Sequence, residues 1–239
     1  LSTPPSYFPV NVKMNQSINK SFEEIIKIGL NSLNVNDFKD LSKNATIIDC
    51  RKPTDFAKAH IPGAIFIGID GEFAPWAGSV IENLDSNILL VVDSQRAEEA
   101  VTRLSRVGID NTLGYLEGGM ENWIKKGNKV DSVKSINVIE FEKQLNAEDV
   151  IIDVRNNSEY EKGHLINSQF LPLGEFSNNF HKYDFNKKQY IHCQGGYRSM
   201  IACSLIKRKG FDNIIDIQGG FAAISKNTSL EINSELLIN

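Results

Sequence analysis

Tyr190-Ile191-His192-Cys193-Gln194-Gly195-Gly196-Tyr197-Arg198-Ser199 joins an apolar run to a stretch of helical character through one cysteine and two glycines. The run predicts a buried strand, and 199–209 predicts the helix that follows. A cysteine between a strand end and a helix N-terminus is placed for nucleophilic chemistry. Backbone N–H groups of such a loop converge on one point and favour an anion there. The helix dipole and the charge of Arg198 act in the same sense. All three favour thiolate over thiol, and the thiolate is the reactive species.

Outward from this loop, the chain repeats itself. Ile48-Asp49-Cys50-Arg51-Lys52-Pro53-Thr54-Asp55-Phe56 and Ile152-Asp153-Val154-Arg155-Asn156-Asn157-Ser158-Glu159-Tyr160 share one pattern, apolar-Asp-x-Arg-x-x-x-acid-aromatic. His60-Ile61 and His164-Leu165 follow at equal spacing. Gly108 and Gly210 correspond, as do Gly118-Gly119 and Gly219-Gly220. The displacement is about 100 residues, an ordinary domain size, so the chain reads as a duplicated domain rather than a solenoid. Strands are expected over 46–49, 65–67, 88–92 and 112–116, and again over 150–154, 169–171, 189–192 and 214–217. Helices are expected over 36–41, 98–107, 139–145 and 199–209. The alternation predicts an α/β fold: two tandem domains, each a parallel sheet flanked by helices on both faces. Ligands in such sheets sit beyond the carboxyl ends of strands, where Cys193 falls. The expected divisions are an extension over 1–30, a first domain over 31–126, a linker over 127–135 and a second domain over 136–239.

Composition narrows the class. Of 239 residues, 41% are hydrophobic and 23% charged, which suits a soluble globular chain. A net charge of -4 argues against nucleic acid as the main partner. No apolar run reaches membrane-spanning length. Leu1-Ser2-Thr3-Pro4-Pro5-Ser6 lacks the basic and apolar regions of a signal peptide, and its start without Met suggests a fragment or a processed chain. Three cysteines without framework spacing fit a reducing cytoplasm. The absence of CxxC, HxH or HExxH gives no reason to expect a metal or another cofactor.

The repeat together with the cysteine loop resembles the rhodanese family of sulfurtransferases. The likeness runs from Asn31 to about Ser225, with Cys-x-x-Gly-x-Arg present as Cys193 to Arg198. It implies that Cys193 takes a sulfane sulfur from a small donor and passes it to a thiol or other nucleophile. Gln194, Gly195, Gly196, Tyr197, Arg198 and Ser199 would then form the substrate-binding loop. Both glycines are expected to let the backbone curl, and Arg198 to meet an anionic donor such as thiosulfate. Gln194 stands where thiosulfate-using members often carry Arg, which weakens the expectation of thiosulfate. Thr3-Pro4-Pro5-Ser6-Tyr7-Phe8-Pro9, Met14-Asn15 and Gly71-Glu72-Phe73-Ala74-Pro75-Trp76-Ala77-Gly78 resemble segments of fusions between a metallo-β-lactamase-fold domain and tandem rhodanese domains, of the persulfide dioxygenase–sulfurtransferase type. That likeness implies an upstream domain of the same polypeptide as a partner.

The repeat also separates fold from chemistry. Asp153, Arg155, Glu159 and His164 have counterparts Asp49, Arg51, Asp55 and His60, so they are expected to support the structure. The pairing of Cys193 with Asp93, in a loop two residues shorter, predicts a catalytically silent first copy with Asp93 or Ser94 capping a helix. Cys50 and Cys203 are expected in the core. His192, next to the cysteine on a strand, is expected to point away from it. A rhodanese-related phosphatase or arsenate reductase shares the cysteine-loop-arginine logic. The six residues from Cys193 to Arg198 suit a single sulfur atom better than a phosphate. The third reading is a non-enzymatic module that docks or regulates a fused metallohydrolase.

Overall fold

The computed structural model describes residues 21–234. The proline-rich segment Thr3 to Pro9 and Met14-Asn15 lie outside the described residues. The chain divides into two compact units, Leu1–Asp131 and Ser132–Asn239.

The first unit opens with α1 (Phe22–Gly29), whose start carries a reciprocal cap between Ser21 and Glu24. Helix α1 buries Ile25, and a Cβ on Gly29 would stand 2.7 Å from Val101, so the helix belongs to this unit rather than to a free extension. Next come β1 (Ser32–Leu33), α2 (Val35–Leu41), β2 (Thr46–Asp49), α3 (Pro53–Lys58), β3 (Ile65–Phe66), α4 (Phe73–Val80), β4 (Ile88–Val91), α5 (Ala97–Ser105), β5 (Thr112–Leu116) and α6 (Gly119–Lys125). The strands form one parallel sheet in the order β1-β5-β4-β2-β3. All four residues of β4, Ile-Leu-Leu-Val, are buried, the mark of a central strand covered on both faces.

The second unit repeats this plan with β6 (Lys134–Ile136), α7 (Val138–Gln144), β7 (Val150–Asp153), α8 (Asn157–Lys162), β8 (His164–Leu165), β9 (Ser168–Phe170), α9 (Phe176–Asn179), β10 (Gln189–His192), α10 (Tyr197–Arg208), β11 (Ile214–Ile217), α11 (Gly220–Asn227) and β12 (Ile232–Asn233). Its parallel sheet runs β6-β11-β10-β7-β9, and a short antiparallel pair joins β12 to β8. Strand β6 takes in Lys134 and Ser135, so the second unit begins inside the span expected to be linker. On one face, Phe141, Tyr190, Ile215, Ile217 and Ile224 form a core cluster. On the other lies α10, buried without a break from Ser199 to Ile206. Burying each large aliphatic side chain contributes about 1.5–3 kcal/mol, so this helix is a main source of the unit's stability. No helix among the described residues is long and apolar enough to cross a membrane.

These sheets set the site by alternation. Tyr190 and His192 face one side of β10, Gln189 and Ile191 the other. Asp216 is the register partner of Ile191, and Asp153 that of His192. Cys193, one step past the strand, therefore continues the face of Ile191 and Asp216, towards α10.

Candidate active site

Cys193 is 1% exposed, at the carboxyl end of β10. Its Sγ accepts the Gly196 N–H at 3.1 Å. The thiol in turn donates to Ser199 Oγ at 3.7 Å. Ser199 lies on the first turn of α10 and donates its own proton to Asp216 Oδ1 at 2.6 Å. Ser135 donates to Asp216 Oδ2 at 2.7 Å. A hydrogen-bonded line thus runs from the sulfur into the core, through a serine to a fully buried carboxyl. Burial pushes the Asp216 carboxyl up to about 6, against the pull of the two hydroxyls.

The backbone of the loop is fixed from below. Gly196 precedes α10 with φ 101°, a conformation that side chains with a Cβ rarely adopt. Gly195 has no positive φ and faces open space, so only one of the two loop glycines is demanded by the backbone. At the start of α11 the Phe221 N–H donates to the Cys193 carbonyl at 2.7 Å, and the Ala222 N–H to the Gln194 carbonyl at 3.1 Å. A Cβ on Gly220 would stand 2.3 Å from that same Cys193 carbonyl oxygen, so nothing larger than glycine fits the seat.

On the opposite face, Asp153 and Arg155 form a buried ion pair, with Nη2 to Oδ2 at 2.7 Å and Nε shared between both carboxylate oxygens. Arg155 also donates to the Gly163 carbonyl at 2.8 Å and to Gln194 Oε1 at 3.3 Å, and lies 3.9 Å over the Phe221 ring. Gln194 thus reaches the buried pair. His164 stacks on Tyr160 at 3.8 Å and bonds its carbonyl at 2.9 Å through Nδ1. In the first unit Arg51 holds Asp49 and the Ala59 carbonyl, and His60 stacks on Phe56 at 3.9 Å. Both constellations recur in the first unit, whose matching loop has no cysteine. His192 is buried on this same face, its Nε2 3.8 Å from Asp153 Oδ2. Burial holds its imidazole below the ordinary value.

Three expectations change. Arg198 does not stand as an open cation. Its guanidinium grips Glu159 in two parallel bonds, Nη1–Oε2 at 2.6 Å and Nη2–Oε1 at 2.7 Å. Arg198 holds the Glu159 carboxyl below its ordinary value, against burial. Glu159 is therefore more than a support shared by both repeats, because it sets the charge beside the loop. The repeat concealed this: Arg96, the first-unit counterpart of Arg198, bonds Asp70 and Glu99 instead.

The second change concerns the first-unit counterpart of the cysteine. Val91 pairs with Asp49 as His192 pairs with Asp153. Val92, buried and apolar, thus stands at the position of Cys193, and Asp93 at that of Gln194. The loop is one residue shorter, since Val92–Arg96 holds five residues against six in Cys193–Arg198. Asp93 accepts the Gln95 N–H at 3.0 Å and so caps the turn that follows. The third change is Asp216, which no sequence expectation included. Its one signal is a charged residue inside the apolar run Ile214-Ile215-Asp216-Ile217.

Cys50 and Cys203 are buried, and burial raises both thiols well above the ordinary value, which suits core residues. Among the described residues, no group of three His, Cys, Asp or Glu side chains could hold a metal ion. Tyr197 is half-buried at the head of α10.

The family described as Rhodanese-like domain matches the chain twice, over residues 34–126 and 137–227. The chain belongs to the rhodanese-like family. Both rhodanese-like domains are similar in plan, and only the second carries the cysteine. Among curated relatives, the thiosulfate sulfurtransferase GlpE of Pseudoalteromonas translucida (strain TAC 125) is 30% identical over 91 residues, covering 38% of this chain and 87% of that protein. The tRNA uridine(34) hydroxylase of Buchnera aphidicola subsp. Baizongia pistaciae (strain Bp) is 33% identical over 92 residues, covering 36% of this chain and 30% of that protein. A rhodanese-like domain protein of Staphylococcus aureus is 28% identical in its crystal structure, covering 43% of this chain and all of that one, with a TM-score of 0.37. The first curated relatives are matched over 30% to 58% of their own length.

Proposed function

We propose that the second rhodanese-like domain is a sulfurtransferase that carries sulfane sulfur as a Cys193 persulfide. The observation that carries the reading is the seat of the sulfur. Sγ accepts the Gly196 N–H at 3.1 Å, in a loop whose carbonyls are tied back by α11. Family membership supports the reaction class. In the first half-reaction the Cys193 thiolate attacks the outer sulfur of the donor. The donor S–S bond breaks, a new S–S bond forms on Cys193, and the leaving group departs with the electron pair. In the second, a thiol or other nucleophile takes the terminal sulfur and the Cys193 thiolate is restored.

A donor whose reacting end carries less charge than thiosulfate fits the site better. Gln194 brings no cation, and Glu159 offsets the charge of Arg198. We therefore assign low-molecular-weight persulfides as the preferred donors, with a thiol as acceptor and the cytoplasm as the compartment. Incubation with glutathione persulfide or thiosulfate, followed by peptide mass mapping, tests this. One added sulfur atom on Cys193 supports it, and turnover of p-nitrophenyl phosphate without labelling contradicts it.

The second reading, a docking module beside an upstream metallo-β-lactamase-fold domain, draws support from Gly71-to-Gly78 and from the first domain. There Arg96 and Arg103 are tied to Asp70, Glu99 and the Ile69 and Gly71 carbonyls, around the place where a substrate loop would open. The encoding reading frame decides whether that upstream domain exists.

A further inference from the structure

Cys193 is almost fully buried, yet its chemistry requires the loss of a proton. Neither neighbour that the sequence offers can take it. His192 lies on the opposite face of β10, with its Nδ1 3.3 Å from the Cys193 carbonyl oxygen rather than on the sulfur. Glu159 is committed to Arg198. The thiol instead donates to Ser199, and Ser199 donates to Asp216. A hydroxyl has one proton, and that of Ser199 already points at the carboxylate. Towards the sulfur it presents a lone pair, which suits a thiol and repels an anion.

We propose that Asp216 is the proton acceptor for Cys193, acting through Ser199. The Cys193 S–H proton passes to Ser199 Oγ while the Ser199 hydroxyl proton passes to Asp216 Oδ1. No charge enters or leaves the site, and no oxidant or reductant is involved. The product is a thiolate that accepts both the Gly196 N–H and the reversed Ser199 hydroxyl, with a neutral carboxyl behind it. On transfer of sulfur to the acceptor, the same line returns the proton. Asp216 touches neither donor nor acceptor, so it is a positioning residue. The inference rests on the sulfurtransferase reading of Cys193 and supplies its activation step.

Three independent observations support it. The carboxyl is poised to gain and lose a proton, because burial lifts it to about 6, within reach of neutral pH in both directions. The groups facing it are Ser135 from β6, and Ser199 and Cys203 from α10, with Cys193 at the far end of the line. None of these is a cation that would hold the carboxyl ionised. Finally, the first domain lacks Cys193, Ser199 and Asp216, although Ser32 keeps the position of Ser135. By register Asp216 corresponds to Tyr115, since each is bonded between the matching central and edge strands. The helix ends, where Leu104 and Ile206 carbonyls accept equivalent N–H groups, align Ser199 with Ala97. The relay and the nucleophile are absent together, whereas the Asp49–Arg51 pair persists.

The test is the pH profile of Cys193 alkylation by iodoacetamide, read by peptide mass mapping on the full chain. It needs no sulfur donor, so it is separable from the sulfurtransferase reading, which persulfide labelling tests. The wild type is expected to become reactive through an inflection near 6, the carboxyl value. Asp216→Asn, which keeps one of the two acceptor oxygens and takes no proton, should lose that inflection and slow at neutral pH by about tenfold or more, one pH unit of displacement. Ser199→Ala should do the same with the carboxyl intact. It provides the second arm should Asp216→Asn fail to fold. Asp216→Glu should restore part of the rate. Unchanged profiles in Ser199→Ala or in folded Asp216→Asn overturn the proposal. Lost inflections with persulfide labelling absent in the wild type would uphold the relay and sink the sulfur chemistry.

Discussion

Glu159 and Arg198 form a two-pronged ion pair at 2.6 and 2.7 Å beside the loop that carries Cys193. The arginine is the loop's own cation, and the glutamate comes from α8, 39 residues earlier. A bidentate bond of this kind fixes the guanidinium plane as well as its charge. The pair therefore sets the net charge beside the loop.

Glu159→Gln should release Arg198 towards solvent and donor. The concentration of thiosulfate needed for half-maximal labelling should fall by roughly tenfold, the effect of about 1.4 kcal/mol. Labelling by glutathione persulfide, whose reacting end carries at most a single charge, should change less. Titrations of Cys193 labelling with both donors check this, and a rise in the thiosulfate requirement would count against it.

The two loop glycines should behave differently despite their adjacency. Gly196→Ala forces a side chain to φ 101° and should cost about 1–2 kcal/mol of stability with loss of labelling. Gly195→Ala should be near neutral, within about 0.5 kcal/mol. Gly220→Ala should be the most damaging of the three, because its Cβ would collide with the Cys193 carbonyl. Urea unfolding of the three variants ranks them.

Two carboxyls near the site should affect stability with opposite signs. Glu159 has a folded value below its ordinary one. Its contribution is fully present above the ordinary value and is lost as pH falls through the depressed one. Asp216 is raised from 3.8 to about 6. Its ionisation therefore opposes folding, with a penalty that sets in as pH rises from 3.8 and is complete above about 6. Relative to the wild type, Asp216→Asn should then gain stability as pH rises from about 5 to about 8, on the order of 1 kcal/mol, set against the acceptor oxygen that the amide gives up. Unfolding curves at about pH 5 and about pH 8 test the sign. A proton acceptor kept at the expense of stability is what a functional carboxyl would show.

The first domain should not be revived by a cysteine alone. Val92→Cys restores a thiol at the position of the nucleophile, but Ala97 and Tyr115 provide no relay and Arg96 is held by Asp70 and Glu99. Mass mapping after incubation with glutathione persulfide should find no sulfur on the new residue. Efficient labelling there would mean that a buried cysteine at this strand end suffices.

Much of this architecture is legible in the sequence, because the features involved are periodic or local. Buried parallel strands are short apolar runs, and duplication displays each of them twice. The buried Asp153–Arg155 pair is legible because its two residues lie two positions apart and recur as Asp49 and Arg51. What escapes reading depends on register or on distance along the chain. A one-residue difference in loop length moves the counterpart of Cys193 from Asp93 to Val92, and only strand pairing reveals it. The partner of Arg198 lies 39 residues away, and in the first domain the equivalent arginine chooses other acids. Asp216 reads as one polar residue in a strand until α10 is laid across it and Ser199 meets it.

The central claim is that Cys193 is the sulfur carrier of this tandem chain. The most direct measurement is the mass of wild-type and Cys193→Ser protein after incubation with glutathione persulfide, before and after addition of a thiol. One added sulfur atom on the wild type, removed by the thiol and absent from Cys193→Ser, is the predicted result. Equal labelling of both proteins, or labelling of Cys50 or Cys203 with Cys193 unmodified, would contradict it.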